Sequence, residues 1–184
     1  MSYKKIKQVG KGSFGTVHLV EPVQGGERLI MKEISLRGQS RKQRQQTIGE
    51  VEILKKVVHP NAVAYRDSFT AGDLLCICME YAPGGDLAGL IKLKRLSGLR
   101  FTESEVLKIG YELTSALAYC HHELHLLHRD LKPGNIFVGA DGSMKLGDFG
   151  LSKQLANTNA LALTMCGTPL YMSCLLYTSP SPRD

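Results

Sequence analysis

The sequence predicts an α+β fold in two parts: a small β-rich first part with one helix, and a mainly helical second part that is incomplete. Three observations predict it. The first 36 residues are short β-branched or aliphatic runs separated by Gly-rich breaks. Helical periodicity then takes over from Ser40 to Val58. Composition changes again at "PGGD" (83–86), beyond which the second part opens on a long amphipathic stretch. The divisions expected are 1–81, 82–173 and a separate tail at 174–184.

In chain order, "KIKQVG", "TVHLVEP" and "ERLIMKEIS" are the first three strand candidates, with "GG" at 25–26 as a hairpin turn. Ile48, Val51, Leu54 and Val58 recur at helical spacing with charges between them. Pro60 ends that helix, because it disfavours helical backbone at His59. "AVAYRDSFT" and "LLCICMEYA" are two further strands. Thr102 and Glu105 are spaced as a capping box. The helix they open carries an apolar stripe of Val106, Ile109, Leu113, Leu117 and Cys120. Short strands "NIFVG" and "SMKLGDF" flank the turn "ADG".

At 184 residues the chain is long enough for one domain with a core, or for part of a larger one. No apolar run approaches the roughly 18 residues of a membrane span. "MSYKKIKQVG" lacks the apolar segment of a secretory signal. Five irregularly spaced cysteines suggest reduced thiols rather than a disulfide framework, which fits a cytoplasmic protein, with nuclear or cytoskeletal association as variants. The formal charge of +6 lies partly in "RGQSRKQRQQ" (37–46) and "KLKR" (92–95). No aromatic residues interleave with these charges, so a solvated face attracting phosphates or acidic partners is preferred to a nucleic-acid surface.

"GKGSFGTV" (10–17) is a G-x-G-x-x-G-x-V. Glycines there let backbone approach phosphates. A dinucleotide fold would need a helix next. Strand-like "TVHLVEP" follows instead, so a hairpin tip covering phosphates is expected, with Ser13 and Phe14 at the tip. Lys32 sits among apolar residues in "LIMKEI"; if it points inward it needs a carboxylate or phosphate, with Glu50 and Glu52 as candidates. "HRDLKPGN" (128–135) sets Asp130, Lys132 and Asn135 in one short loop, and "GDFG" (147–150) adds Asp148. A group to orient a hydroxyl, a cation for a moving phosphate and oxygen ligands for a metal are the equipment of phosphoryl transfer. "HHELHLLH" (121–128) looks like a metal tract, but residue 126 is leucine, so it fails H-E-x-x-H.

Together these motifs make residues 1–173 resemble a eukaryotic protein kinase domain, with its bilobal fold. The resemblance implies ATP and Mg²⁺ as cofactors. It places Val9, Gly10, Lys11, Gly12, Ser13, Phe14 and Gly15 in the phosphate-covering loop. Val17 and Ile30 would lie about the adenine, Phe137 would contact the nucleotide, and Lys32 would hold the α- and β-phosphates. Glu50, ten residues before Pro60, matches the helix glutamate better than Glu52. Met79 matches the gatekeeper, Glu80 to Ala82 the hinge, and Asp86 the ribose contact. Asp130 resembles the catalytic aspartate, and Asn135 and Asp148 the metal ligands. Lys132 within "HRDLKPxN" is similar to serine/threonine rather than tyrosine kinases. Thr164 matches the activation-loop phosphorylation site, with Arg129 as partner of its phosphate, and Thr168 helps seat the substrate hydroxyl. "KEI", "KLGDFGLSK" and "GTPxYMS" are similar to the NIMA-related kinases, as is Ile30 where kinases at large have alanine.

After Ser173 the family pattern, which continues with Pro-Glu, vanishes. "CLLYTSPSPRD" (174–184) resembles a translated sequencing-library adaptor and is expected to be a non-native tail; a divergent natural tail is the alternative. The expectation is therefore a fragment of a serine/threonine protein kinase acting on protein hydroxyls, with neither nucleic acid nor membrane as partner. Lacking much of its helical part, the 184-residue chain alone is expected to be poorly folded and inactive. The alternative is a non-catalytic nucleotide-binding or regulatory module.

Overall fold

The computed structural model describes residues 2–12, 15–149, 153–154 and 168–172. Ser13, Phe14, Thr164, Ser173 and the tail 174–184 lie outside the described residues, as does the side chain of Glu50.

Five antiparallel strands form one sheet in the order β1-β2-β3-β5-β4. They are β1 (Tyr3–Gly12), β2 (Gly15–Pro22), β3 (Leu29–Ser35), β4 (Tyr65–Ala71) and β5 (Leu74–Glu80). Alternation decides what each face carries. Val20, Leu29, Met31, Cys76 and Cys78 form one buried cluster, covered by the stacked rings of Tyr3 and Phe69. Leu36, Val51, Leu75 and Ile77 form another, against α1 (Arg41–Lys56).

Helix α1 starts at a capping box, with Ser40 accepting from the Gln43 N–H and the Gln43 side chain accepting from the Ser40 N–H. It ends earlier than the sequence pattern suggests. Val57 is already extended, so Val57 is buried at 3% exposure while Val58 is 76% exposed. The expected stripe is corrected accordingly: Val51 and Leu54 face the core, and Ile48 and Val58 do not.

A helix not expected from the sequence, α2 (Leu87–Leu96), follows directly after "PGGD". Its N-cap is Asp86, whose side chain accepts from the Gly89 N–H at 2.7 Å. Helix α3 (Glu103–His122) has the expected Thr102/Glu105 capping box. Its inward face is Ile109, Leu113, Ala116, Leu117 and Cys120, packing with Ile136, Met144, Leu126 and Leu146; Val106 is 56% exposed, so the inward stripe starts one turn later than expected.

Beyond α3 lie β6 (Leu126–Leu127), a 3-10 turn (Pro133–Asn135), β7 (Ile136–Val138), β8 (Met144–Leu146), β9 (Lys153–Gln154) and a 3-10 turn (Pro169–Tyr171). β7 pairs with β8 and β6 with β9, both antiparallel. The two parts of the chain are stitched together by the segment between α1 and β4. The Val63 N–H donates to the Leu146 carbonyl at 2.8 Å, the Leu146 N–H donates to the Asn61 carbonyl at 2.8 Å, and the Asn61 side chain donates to the Met144 carbonyl at 3.0 Å. His59 adds a contact to Ser115 of α3 at 3.3 Å. Among the described residues no helix is long and apolar enough to cross a membrane.

Candidate active site

The Gly-rich segment closes a hairpin rather than opening a helix: Gly12 pairs with Gly15 and Gly10 with Val17. The backbone explains one glycine outright. Gly15 has φ +135°, and a Cβ there would collide with the Glu33 carbonyl oxygen. The hairpin thereby sets Val17 opposite Lys32, while Ile30 sits opposite Met79 on the next strand. Val9 and Lys11 are on the exposed edge strand β1.

Lys32 reaches across to the second part of the chain, its Nζ 3.1 Å from Asp148 Oδ1. Glu52, the other carboxylate considered for Lys32, is exposed and pairs with Lys55 of its own helix at 2.7 Å.

The loop at 128–135 is organised from a buried imidazole outward. His128 accepts from the Asp130 N–H on Nδ1 at 3.3 Å, so its other nitrogen, Nε2, donates to the Gly147 carbonyl at 2.8 Å. Burial lowers the His128 pKa, which keeps the ring in this neutral form. Phe149 meets the ring edge-on at 4.9 Å between centroids. Arg129 and Asp148 both take positive φ (65° and 55°), a backbone region sparsely used by non-glycine residues and concentrated at functional sites.

Asp130 is the hub. Lys132 donates to its Oδ2 at 2.7 Å. The single turn Pro133–Asn135 folds Asn135 back, so that its amide nitrogen reaches the Asp130 carbonyl at 2.8 Å and Oδ2 at 2.9 Å. The Thr168 hydroxyl reaches Oδ1 at 2.6 Å, and Lys132 also donates to that hydroxyl at 2.8 Å. Burial pushes the Asp130 carboxyl pKa up. The bonds from Lys132, Thr168 and Asn135 outweigh that and hold it down to about 2, so it is a carboxylate at neutral pH. The Gly147 N–H donates to the Asn135 carbonyl at 2.9 Å, fixing the loop beside Asp148.

A metal fits this donor set. Asn135 spends its side-chain amide nitrogen on Asp130, which leaves its side-chain oxygen available to a ligand-seeking cation. Asp148, 40% exposed, is a second oxygen donor, and Mg²⁺ takes few protein oxygens besides phosphate and water. Among the described residues no group of three His, Cys, Asp or Glu side chains is placed to hold a metal. In "HHELHLLH", the rings of His121 and His122 lie together at 5.2 Å while His128 is used in the loop.

Other expected positions are arranged as follows. Met79 packs beside the α1-facing cluster. The Glu80 N–H donates to the Ala64 carbonyl at 2.9 Å, and the Ala82 carbonyl accepts from Gly85. Phe137 pairs across an isolated bridge with Asp86. One Asp86 oxygen is committed to capping α2, a use the sequence does not announce.

Comparison with known proteins bears on the same stretch of chain. The model of the protein kinase domain matches residues 3–177, and the chain belongs to this family. It is of the NIMA-related type. It is 39% identical to the serine/threonine-protein kinase Nek1 of Mus musculus over 93% of the chain, which is 14% of that relative. It is 39% identical to the G2-specific protein kinase fin1 of Schizosaccharomyces pombe, over 93% of the chain and 26% of the relative. For the G2-specific protein kinase nimA of Emericella nidulans the figures are 38%, 93% and 28%. The chain therefore spans less than a third of the length of these three relatives. Members of the family use ATP, typically with a divalent metal.

Proposed function

We propose that the protein carrying this chain is a serine/threonine protein kinase that transfers the γ-phosphoryl group of ATP to protein hydroxyls with the help of Mg²⁺. The observation that carries this reading is the convergence of Lys132, Asn135 and Thr168 on the Asp130 carboxylate beside the Lys32–Asp148 pair. Asp130 is ionised and oriented, so it can accept the proton of a substrate hydroxyl as the oxygen attacks. Lys132, 2.7 Å from Asp130, is assigned to the charge that builds on the moving phosphoryl group. Lys32 is assigned to the nucleotide's inner phosphates and Glu50 to its orientation. Asn135 and Asp148 are assigned to Mg²⁺, which supplies charge neutralisation on the phosphates when bound. Gly10, Gly12, Gly15 and Val17 cover the nucleotide, and Ile30, Met79, Glu80, Ala82, Asp86 and Phe137 frame its base and ribose.

The division at 81/82 is taken as the joint between lobes. Free, buried Cys76, Cys78 and Cys120 support a reducing compartment such as the cytoplasm. Phosphorylation of Thr164 is proposed to switch the site on; full activity of Thr164→Ala would exclude that.

The test is phosphorylation of a serine/threonine peptide library by the intact protein with ATP and Mg²⁺. Asp130→Asn is expected to lower turnover by about 10²–10⁴-fold without abolishing nucleotide binding. Nucleotide binding with no transfer by the unmutated protein would instead favour a non-catalytic module.

A further inference from the structure

Lys145, in the middle of β8, is not one of the residues assigned above, yet its side chain ends at a junction. Its Nζ lies 2.9 Å from Glu80 Oε1 and 3.0 Å from the Pro60 carbonyl oxygen. The other carboxylate oxygen of Glu80 accepts from the Ala64 N–H at 3.2 Å, and the Glu80 N–H donates back to the Ala64 carbonyl at 2.9 Å. Three segments distant in sequence thus meet on one ammonium group: the end of β5 where the hinge begins, the α1–β4 segment, and the strand that runs through Gly147 into Asp148. Both side chains are mostly buried, 16% and 23% exposed. A pair withdrawn from water to this degree holds geometry more tightly than a surface pair, and removing either member leaves a charge stranded.

We propose that Lys145 and Glu80 are positioning residues that fix the separation between the hinge and Asp148. Glu80 borders the nucleotide frame, but the charged ends of the pair are spent on each other and touch neither reacting atom. Its effect passes along two short covalent paths: Glu80 to Ala82 on the hinge side, and Lys145 to Asp148 on the metal side. A nucleotide that contacts both ends is matched only if that separation is held. Backbone pairing of Leu146 with Asn61 and Val63 ties β8 to the α1–β4 segment, and the bond between Glu80 and Ala64 ties that segment to the start of the hinge. That route has two joints in series. The Lys145–Glu80 pair spans β8 and the hinge directly. The inference rests on the nucleotide reading of the site proposed above.

The test is a set of intact-protein variants: Lys145→Met, Glu80→Gln, the double variant, and Lys145→Arg. The guanidinium of the last can still reach both a carboxylate and a carbonyl. Two readouts are taken: KM for ATP against kcat, and amide hydrogen exchange without nucleotide. Each single variant is expected to raise KM for ATP about 3- to 10-fold with a smaller change in kcat. The double variant should be no worse than the worse single, as expected of residues acting as a unit. Lys145→Arg should restore most of the affinity. Exchange at Ala64 and Leu146 should quicken in Lys145→Met while that of β2 stays unchanged. An unchanged KM for ATP, or effects of the two singles that simply add, overturns the proposal. Loss of melting temperature alone, with normal KM and normal local exchange in the surviving fold, also overturns it. If the unmutated protein binds no nucleotide, the function proposed above fails instead, and the exchange measurement alone decides whether the pair links hinge and β8.

Discussion

Two donors of Thr168 converge on one oxygen of Asp130: its hydroxyl at 2.6 Å and its backbone N–H at 3.0 Å. The residues are 38 positions apart, and Lys132 closes a triangle by contacting both. The threonine therefore orients the carboxylate and shares its charge with the lysine. Thr168→Ala should lower kcat about 10- to 100-fold, the worth of one hydrogen bond to a charged group, while Thr168→Ser should retain most activity. Equal activity of the two variants would exclude the role.

Acid should destabilise the fold through its histidines. Burial lowers the pKa of His128, and of His59, below that of a free imidazole. Below about pH 6.5 the unfolded chain takes up protons that the folded chain refuses, so stability is full above that pH and falls as pH drops toward the folded pKa values. Urea midpoints measured at intervals from about pH 7.5 to 5 should decline, and His128→Phe should flatten the decline. A midpoint independent of pH over that range would contradict the assignment.

The Asp130 carboxyl works in a lower window. Its folded pKa of about 2 lies below the unfolded value, so the stabilisation is present above about pH 4 and is lost as pH falls through about 2. It is worth on the order of 2 kcal/mol at neutral pH. Asp130→Asn should shallow the acid limb of the stability profile below about pH 4.

Two glycines separate backbone strain from steric clash. Gly25 has φ +84° with nothing within 4 Å of where a methyl group would stand, whereas Gly15 adds the contact with the Glu33 carbonyl. Gly25→Ala should cost about 1 kcal/mol, from the left-handed backbone alone. Gly15→Ala should cost more, about 2–3 kcal/mol, and should also weaken nucleotide binding by displacing the hairpin. Chemical denaturation of both variants checks the order.

The capping box of α3 gives a milder prediction. Thr102 accepts from the Glu105 N–H at 3.2 Å while Glu105 takes the Thr102 N–H at 2.7 Å. Thr102→Ala should cost about 1 kcal/mol in thermal or urea unfolding, with KM for ATP unchanged.

The features legible in the sequence are those encoded within a few residues of each other. The Thr102/Glu105 box and the aliphatic runs of β2, β3 and β5 are local, and both have counterparts in the fold. Helix α2 is hidden, although Asp86 followed by Leu87, Leu90 and Ile91 carries a cap and an apolar stripe. The glycines just before it read as a break, and Asp86 matches the ribose contact of the family, which draws attention from its capping role. The placement of Val57 against Val58 turns on where α1 stops, a one-residue matter that periodicity does not resolve. The contact of Glu80 with Lys145 joins strands far apart in the chain, and no pattern in either neighbourhood announces it. The loop chemistry is legible because its residue types are unusual together; Thr168's double hold on Asp130 needs the fold.

The stitching of Asn61 and Val63 to Leu146 has a mechanical consequence. Covalently, the two parts of the chain are joined between β5, which ends at Glu80, and α2, which starts at Leu87. By hydrogen bonding, the stretch from His59 to Val63 is tied to β8 and α3 as though it were a further strand of the second part. A closing motion of the sheet over the loop would thus bend the chain at three places at once: at the end of α1 near Val57, at Ala64 just before β4, and beyond Glu80. Helix α1 then rides as a lever with its C-terminal end held as the fulcrum, and its Ser40 end travels farthest.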